Sequence, residues 1–579
     1  MINKQINKLI TITSLFMMLA GISSAQTNGF VQAYDSMHQV FSVWYPMGDW
    51  KAIDWDSLNG AIRPKIIAAG TTDDTTAFYI AMASYIDGIH DGHTNVRHGW
   101  VAIRAAARYR EIGGSYGFTV IGTDDGRILV RLINPGSPAA QAGMLFGAEL
   151  LEINDHPVQS VLDTVPTRWA DLVPATHEFR KMNQNRLIGR APVGASMKVK
   201  FTNRGSTTPV TAVLTAVDDG YATFDQTTLY PAETGPEVTS AILDGGYGYI
   251  KVNSLYGDEA SAVTIYTTFR DALNGFIASD APGLVLDFRI NMGGYDALAA
   301  AMAGFFYDQN AVYEKQSWYN PDTDSLERWP LHIPHFNPQT LEFDTNAAYP
   351  PGTLFTEPQG VLFNRPVMVL VGPRSISSGE GIPMMLRKLP NCKTIGFHGT
   401  NGSFALVERA HYLFPPPSDF YVRYPYGVSM NENYIIQLDS DSTMTGGVSP
   451  DIRVPVNDTV INQLYIDSLD VELRYALKML KASAGIVAPP NAGKEFYLEP
   501  ISPNPLSQST IINYHLQHAG SIDLSVFDIY GRHMMSLVKG EQASGRHTIS
   551  FNAASLPSGV YFFRLSTISG IITQKCILQ

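Results

Sequence analysis

A serine-rich turn between an apolar strand and a helix is the segment best suited to nucleophilic chemistry. Residues 372–381 read Gly-Pro-Arg-Ser-Ile-Ser-Ser-Gly-Glu-Gly and follow the apolar run 366–371. A hydroxyl on such a turn is presented at the end of the strand, and the N-terminus of the following helix stabilises developing negative charge. Taken alone, a serine at this position is more often a helix cap than a nucleophile.

A second turn carries glycines where a buried strand ends. The strand predicted over 283–287 is followed by Phe-Arg-Ile-Asn-Met-Gly-Gly, and a helix is predicted over 297–306. A tight Gly-Gly turn can present unpaired backbone N–H groups, which an oxyanion hole requires. By itself, the pattern is more typical of an ordinary turn into a helix.

A histidine in a glycine-containing turn is the candidate base. His93 lies in Asp-Gly-His-Thr at 91–94, where neighbouring residues can hold the imidazole for proton transfer. His90 and His98 lie close by in the sequence. No carboxylate spacing completes a metal-binding set with them, so we predict no metal and no cofactor.

The elements that must position these turns change type along the chain. Residues 26–110 show helical periodicity, whereas 111–220 read as short strands, with Ser137 as the cap of a short helix that begins at Pro138. Residues 221–481 alternate apolar strands with helices, which indicates an α/β layer. Within them, 308–364 is predicted to be a long aromatic and proline-rich loop, and such loops are usually functional.

The two ends of the chain and the composition limit the protein class. The 579 residues suffice for about three to five domains, and a net charge of −12 argues against nucleic acid as a partner. Residues 1–25 combine two lysines, a 14-residue apolar run and small residues, which is typical of a signal peptide. No later run is apolar enough to cross a membrane, and the two cysteines form no scaffold.

Part of the strand-rich segment resembles a PDZ domain. The similarity rests on Ser-Pro-Ala-Ala-Gln-Ala-Gly at 137–143 and on Leu-Leu-Glu-Ile-Asn at 150–154. Ala148 stands where these domains usually have Asp, and Asp155 where they usually have Gly. The resemblance implies that residues 111–220 hold an extended peptide, or its C-terminal carboxylate, by strand addition.

The order of the motifs over about residues 30–480 resembles that of C-terminal-processing and tricorn-like serine peptidases. Asp-Gly-His-Thr, the PDZ-like stretch, the Gly-Gly turn and the serine turn are followed by Gly-Val-Ser-Pro-Asp-Ile at 447–452. The resemblance implies a multidomain α+β protein. A helical N-terminal domain, a PDZ-like β domain and a crotonase-like layered α/β peptidase core would follow one another.

The resemblance also assigns the site, residue by residue. Ser377 stands at the position of the nucleophile. The backbone N–H of Ser378 is one oxyanion donor, and the turn of Gly293 and Gly294 supplies the other. Ser375 would have a supporting role.

Differences between the branches of the family indicate which residue is the base and which acid could be its partner. The processing peptidases use a lysine in a turn that here reads Gly-Thr-Asn-Gly-Ser, so the resemblance favours His93, as in the tricorn-like branch. That branch usually has a Glu where this chain has Met444. Asp439 and Asp441 lie nearby, and Asp441 is the candidate third member of the catalytic set, although a Ser–His dyad or an inactive homologue is an open alternative.

The C-terminal segment has a signature of its own. After a linker predicted at 482–494, residues 495–579 alternate with period two and predict a small Ig-like β-sandwich. Pro-Asn-Pro at 503–505, Asp-Ile-Tyr-Gly at 528–531 and Leu-Pro-Ser-Gly-Val-Tyr at 556–561 resemble the sorting domain of the type IX secretion system. This implies export through the periplasm and across the outer membrane, with the secretion machinery as a partner.

Together these features predict a secreted or cell-surface serine endopeptidase that acts on proteins or peptides. Two alternatives remain from the sequence. One is an inactive homologue that binds peptides or other ligands outside the cell, favoured by Met444 and by the aromatic segment 308–364. The other is a surface adhesin, which the joint occurrence of Ser377, Gly293 and His93 disfavours.

Overall fold

The computed structural model describes most of the chain. Its described residues are 29–97, 101–227, 230, 235–407, 409–412, 421–486, 496–498, 501, 506, 509–516, 518–529, 531–553, 556–568 and 570–579. The predicted signal peptide, residues 1–25, lies outside them. The chain divides into two compact units, Met1–Leu480 and Lys481–Gln579.

The first unit begins with helices that pack around aromatic side chains. Their bounds are α1 Gly29–Trp44, α2 Trp55–Thr71, α3 Thr75–Asp87 and α4 Val101–Ile112, with the short strand β1 Asn95–Arg97 between the last two. Asp54 and Asp74 cap α2 and α3 by accepting backbone N–H groups, as short polar side chains do at helix starts. Tyr34, Phe41 and Tyr85 are fully buried between the helices. The chain leaves α3 directly into the turn that carries His93.

A strand-rich region follows. It contains β2 Gly114–Ser115, β3 Phe118–Gly122, β4 Ile128–Ile133, α5 Pro138–Gln141, β5 Glu149–Ile153, β6 His156–Pro157, α6 Val158–Leu162, α7 His177–Leu187, β7 Arg190–Ala191, β8 Ser196–Thr202, β9 Val210–Thr215, β10 Val217–Asp218 and α8 Ala222–Asp225. The main sheet has the order β3-β4-β5-β8-β9, so β3 is an edge strand. The predicted cap is confirmed, because the Ser137 hydroxyl accepts the Ala140 N–H at the start of α5.

The third region is the α/β layer. Its strands are β11 Val238–Ile242, β12 Gly248–Val252, β13 Leu284–Asp287, β14 Ala311–Asn320, β15 Ser325–Arg328, β16 His335–Asn337, β17 Glu342–Asp344, β18 Thr353–Thr356, β19 Val367–Leu370, β20 Cys392–Gly396, β21 Arg409–Tyr412, β22 Tyr421–Tyr424, β23 Gly427–Met430 and β24 Ile452–Arg453. Its helices are α9 Glu259–Ala278, α10 Asp296–Ala303, α11 Ser378–Arg387, α12 Asp458–Tyr465 and α13 Val471–Ile486.

The central sheet brings three turns to one edge. Its order is β11-β12-β13-β19-β20-β24, and all pairs from β12 to β24 are parallel. Parallel strands end at the same edge of a sheet, where α/β proteins place their ligand sites. The turns that follow the neighbouring strands β13, β19 and β20 therefore meet there. They contain Gly293, Ser377 and Ser403.

The prediction of a long loop over residues 308–364 is wrong. Residues 311–356 form β14 to β18, and β14 pairs with β15, β18 and β23. The aromatic side chains give the reason, since Tyr313 and Phe336 are buried in the same apolar core as the central sheet. A segment that buries side chains gains enough to order its backbone into strands.

The C-terminal unit is rich in strands. It contains β25 Phe496–Leu498, β26 Ser509–Leu516, β27 Gly520–Asp528, β28 His533–Gln542, β29 Gly545–Asn552, β30 Gly559–Thr567 and β31 Gly570–Leu578. They form two antiparallel sheets, β25-β26-β29 and β28-β27-β30-β31, and Phe551 of one packs edge-on against Phe563 of the other. The predicted linker at 482–494 begins later than expected, because α13 runs to Ile486; residues 487–495 lie outside the described part.

Candidate active site

Ser377 occupies a strained position between β19 and α11. Its backbone has φ 58° and ψ −140°, a region that side chains other than glycine rarely adopt. Neighbouring bonds hold it there, because the Ser377 N–H donates to the Ser403 carbonyl at 2.9 Å and the Ser375 hydroxyl donates to the Gly379 carbonyl at 2.8 Å. Ser377 is partly exposed, whereas the helix residues after it, from Ser378 to Leu386, are buried.

The Gly-Gly turn packs directly against this serine. A Cβ atom at Gly293 would lie 2.7 Å from the Ser377 Cβ and 3.2 Å from the Ser378 nitrogen, so only glycine fits. The Ser378 hydroxyl donates to the Gly294 carbonyl at 2.9 Å and joins the two turns. The structure thus brings together Ser377, Ser378, Gly293 and Gly294, which the sequence had placed in one site.

The two glycines differ as hydrogen-bond donors. The Gly293 N–H is engaged by the Asn291 side-chain oxygen at 2.9 Å. Gly294 lies opposite Leu255 in a short parallel β-bridge. The bonds of this bridge come from its neighbours: the Leu255 N–H donates to the Gly293 carbonyl, and the Tyr295 N–H donates to the Leu255 carbonyl. Among the described residues, no acceptor engages the amides of Gly294 or of Ser378. Both amides belong to the two turns that pack together at Ser377.

His93 is buried on the turn after α3. Its backbone N–H donates to the Asp91 carboxylate at 2.8 Å, and the Thr94 hydroxyl donates to the Asp91 carbonyl at 2.7 Å. Burial lowers the pKa of His93 to about 4, against the opposing charge of Asp91; Arg423 and Lys51 lower it further. The ring is therefore neutral at pH 7, which is the form that accepts a proton.

The geometry brings the His93 turn to the serine turn without a direct bond. Among the described residues, no hydrogen bond joins His93 to Ser377, and the His93 Nδ1 atom is buried without a partner. The neighbouring residues do touch: a Cβ at Gly92 would lie 2.7 Å from the Ile376 side chain. Hydrogen bonds of catalytic groups are often longer before substrate binds.

The two candidate acids differ sharply in their surroundings. Asp441 caps its own turn, accepting the N–H groups of Thr443 and Thr445. Asp439 is buried, and its Oδ1 atom accepts the N–H groups of Phe404 and Ala405 at 2.8 and 3.2 Å. The structure therefore places Asp439, rather than Asp441, inside the protein.

A buried cluster of ionisable side chains links Asp439 to the His93 turn. Burial and the charge of Asp91 raise the pKa of Asp439 well above its usual range, while Lys51 opposes the shift. The Lys51 ammonium donates to the Ser440 carbonyl and hydroxyl at 2.8 and 2.7 Å. Tyr45 donates to the Asp91 carboxylate at 2.7 Å. Tyr45 and Lys51 have no sequence signal that could have identified them.

The sequence also missed a group of acids in and around α11. Burial raises the pKa of Asp296 to about 6, of Glu314 to about 8 and of Glu380 to about 7. The Tyr313 hydroxyl reaches the same helix, where a Cβ at Gly381 would overlap it. Glu380 is the one of the three that stands close in sequence to a predicted site residue, three residues after Ser377.

Within the described part of the chain, no three His, Cys, Asp or Glu side chains are arranged to hold a metal ion. His98, one of the histidines near His93 in the sequence, lies outside the described residues.

Comparison with known families identifies both parts of the chain. Residues 246–454 match the profile of peptidase family S41, and residues 500–579 match that of the secretion system C-terminal sorting domain. The protein is a serine-type peptidase whose residues 246–454 match family S41. The tail of this peptidase marks it for type IX export, to the cell surface or into the medium.

Among solved structures, mature CPAF shares this fold. Mature CPAF has 16% identity and a TM-score of 0.50, with 80% of this chain and 98% of that chain covered. The photosystem II D1 C-terminal processing protease has 16% identity and a TM-score of 0.31, with 80% of this chain and 99% of that chain covered. The tricorn protease has 13% identity and a TM-score of 0.33, with 80% of this chain and 37% of that chain covered. No curated protein matches the peptidase in sequence.

One further property concerns membranes. Within the described residues of the peptidase, no helix is both long and apolar enough to cross a bilayer.

Proposed function

We propose that the peptidase is a secreted endopeptidase that uses Ser377 as its nucleophile and His93 as its base. The observation that carries the proposal is the strained, partly exposed Ser377 at the start of α11, packed against Gly293. Strained backbone positions of this kind persist where surrounding contacts enforce them, and they cluster at active sites.

The reaction follows from the groups around the serine. Neutral His93 takes the hydroxyl proton as the Ser377 oxygen bonds to the peptide carbonyl carbon. The oxyanion that forms is bound by the N–H groups of Gly294 and Ser378. Protonated His93 then gives its proton to the leaving amine as the C–N bond breaks, and water hydrolyses the acyl-enzyme by the same steps in reverse.

The acid that supports His93 is part of the proposal. Asp439 is better placed than Asp441, because it is buried with Asp91 and Lys51 next to the His93 turn. Asp91 holds the backbone of His93 rather than its ring. We therefore propose that the cluster of ionisable side chains Asp91, Asp439 and Lys51 positions the base.

Substrate binding by residues 111–220 is proposed from the edge strand β3. A peptide can add to an edge strand through its backbone. A cavity of about 280 Å³ lies along this strand. Arg131, Lys181 and His398 line it, together with residues 120–123. Two cationic side chains and a histidine suit the C-terminal carboxylate of a peptide.

The proposed domains are a helical domain at 26–110, the PDZ-like domain at 111–220, the peptidase core at 221–481 and the sorting domain at 495–579. The first three contribute to one site in this proposal, since His93 comes from the helical domain and Ser377 from the core.

A serine-directed fluorophosphonate probe tests the assignment of the nucleophile. Ser377→Ala is expected to take up no label, whereas Ser375→Ala, with a buried serine two residues away, still becomes labelled. Mass spectrometry of the labelled wild-type peptide locates the modified residue. Equal labelling of Ser377→Ala and wild type would refute the assignment.

A further inference from the structure

Ser403 connects the nucleophile turn to the histidine turn through its carbonyl and its hydroxyl. Its carbonyl accepts the Ser377 N–H at 2.9 Å. Its hydroxyl accepts the Gly92 N–H at 2.8 Å. Gly92 immediately precedes His93, so one buried residue is bonded to the neighbour of the base and to the nucleophile itself.

The polarity of these bonds is determined by the remaining partners of Ser403. Its hydroxyl donates its single proton to the Asn401 side-chain oxygen at 2.8 Å, so it can only accept from Gly92. Its backbone N–H donates to the Glu380 carboxylate at 3.0 Å. Each polar group of Ser403 is therefore engaged: the hydroxyl accepts one bond and donates one, and the carbonyl and the N–H each form one.

Tight packing leaves the bridge little freedom. A Cβ at Gly92 would lie 2.6 Å from the Asn401 oxygen and 3.1 Å from the Ser403 hydroxyl. The backbone N–H of Asn401 donates to the Ser375 carbonyl at 2.9 Å, which fixes the position of Asn401. Ser403 and Asn401 are both fully buried. A change at Ser403 is thus transmitted to the His93 turn rather than absorbed by solvent.

We propose that Ser403 is a positioning residue that sets the distance between His93 and Ser377. The inference rests on the proposed function, in which His93 is the base for Ser377. Ser403 touches neither substrate nor the reacting atoms. It acts through the Gly92 N–H on one side and the Ser377 N–H on the other.

A double-mutant cycle with His93 separates this role from a structural one. The rate of fluorophosphonate labelling is measured for Ser403→Ala in the wild-type and in the His93→Ala background. With His93 present, we expect labelling to slow about 10- to 100-fold, because a small misplacement of a catalytic group has effects of this size. Without His93, we expect less than a twofold further change, since the bridge acts through the base.

Ser375→Ala provides the matched control. Ser375 is an equally buried serine in the nucleophile turn, but its hydroxyl bonds to the Gly379 carbonyl of the same turn. Any effect of its loss is expected to be the same factor with and without His93. If Ser403→Ala does not fold, Ser403→Cys replaces it, because its sulfur fills the space and accepts the Gly92 N–H only weakly.

The outcomes are distinct. Equal slowing by Ser403→Ala in both backgrounds, or no slowing when His93 is present, would overturn the role of Ser403. In either case, loss of label in Ser377→Ala would leave the proposed function standing. Labelling that survives in Ser377→Ala would instead refute the proposed function itself.

Discussion

The buried Glu380 makes the stability of the peptidase unit depend on pH in a calculable way. Its carboxylate accepts N–H groups from Gly402 and Ser403 and a hydroxyl from Thr400. Burial outweighs these bonds and raises its pKa from 4.5 to about 7. We predict that replacing it by Gln removes a pH-dependent loss of stability.

The sign follows from where the proton is bound. Below about pH 4.5 the carboxyl of Glu380 is protonated in both the folded and the unfolded chain. Between about pH 4.5 and 7 the unfolded chain loses this proton while the folded chain keeps it, so rising pH favours unfolding. The shift corresponds to roughly 3 kcal/mol of unfolding free energy, lost by pH 7 and constant above it.

Urea unfolding of Ser377→Ala protein, in which self-digestion is prevented, measures the effect. All seven tryptophans lie within residues 44–329, so their fluorescence reports the first unit without the tail. The unfolding free energy is compared between pH 4.5 and 8.5 with and without Glu380→Gln. Asp296 and Glu314 contribute slopes of the same sign to both proteins. The difference between the curves reports the Glu380 charge, including its effect on the pKa of Asp439.

The expected result is a difference that grows by roughly 3 kcal/mol from pH 4.5 to 7 in favour of Glu380→Gln. A constant offset between the curves, which the altered hydrogen bonding of Gln can cause, does not affect this. Glu342→Gln, at an exposed position of β17, is the control and should run parallel to the parent. Parallel curves for Glu380→Gln as well would refute the reasoning.

Two further predictions concern the base and its acids. Asp439→Ala should lower the free energy of unfolding by about 2 kcal/mol or more, since two buried N–H groups lose their acceptor. Asp441→Ala, at a half-buried position, should lower it by less than about 1 kcal/mol. Equal losses in urea unfolding would contradict the placement of Asp439. Because burial lowers the pKa of His93 to about 4, the rate of fluorophosphonate labelling should fall only below about pH 5. A midpoint near the usual histidine value of about 6.5 would show that the ring is not desolvated.

Much of the local structure could be predicted because its causes are local. Ser137 caps α5, and α3 at Thr75–Asp87 lies within the segment 26–110 that shows helical periodicity. Caps and apolar spacing act within a few residues and are visible in any window of sequence. The prediction of a loop over 308–364 was wrong for the opposite reason. Its strands pair with each other and with β23, and the burial of Tyr313 depends on a core built from distant residues.

The sequence by itself determined the types of turn that carry Ser377, His93 and the two glycines, since strand, turn and helix signals surround each of them. It also determined the export signal at 500–579, because that family is recognised by residues close together in the chain. Only the tertiary structure decided how these turns meet. The parallel order β13-β19-β20 places Gly293, Ser377 and Ser403 at one edge, and a bond of 2.8 Å then holds Gly92 from the helical region against them. The distance along the chain between Gly92 and Ser403 leaves no local pattern, so pairing of strands and burial of their polar groups had to select that contact.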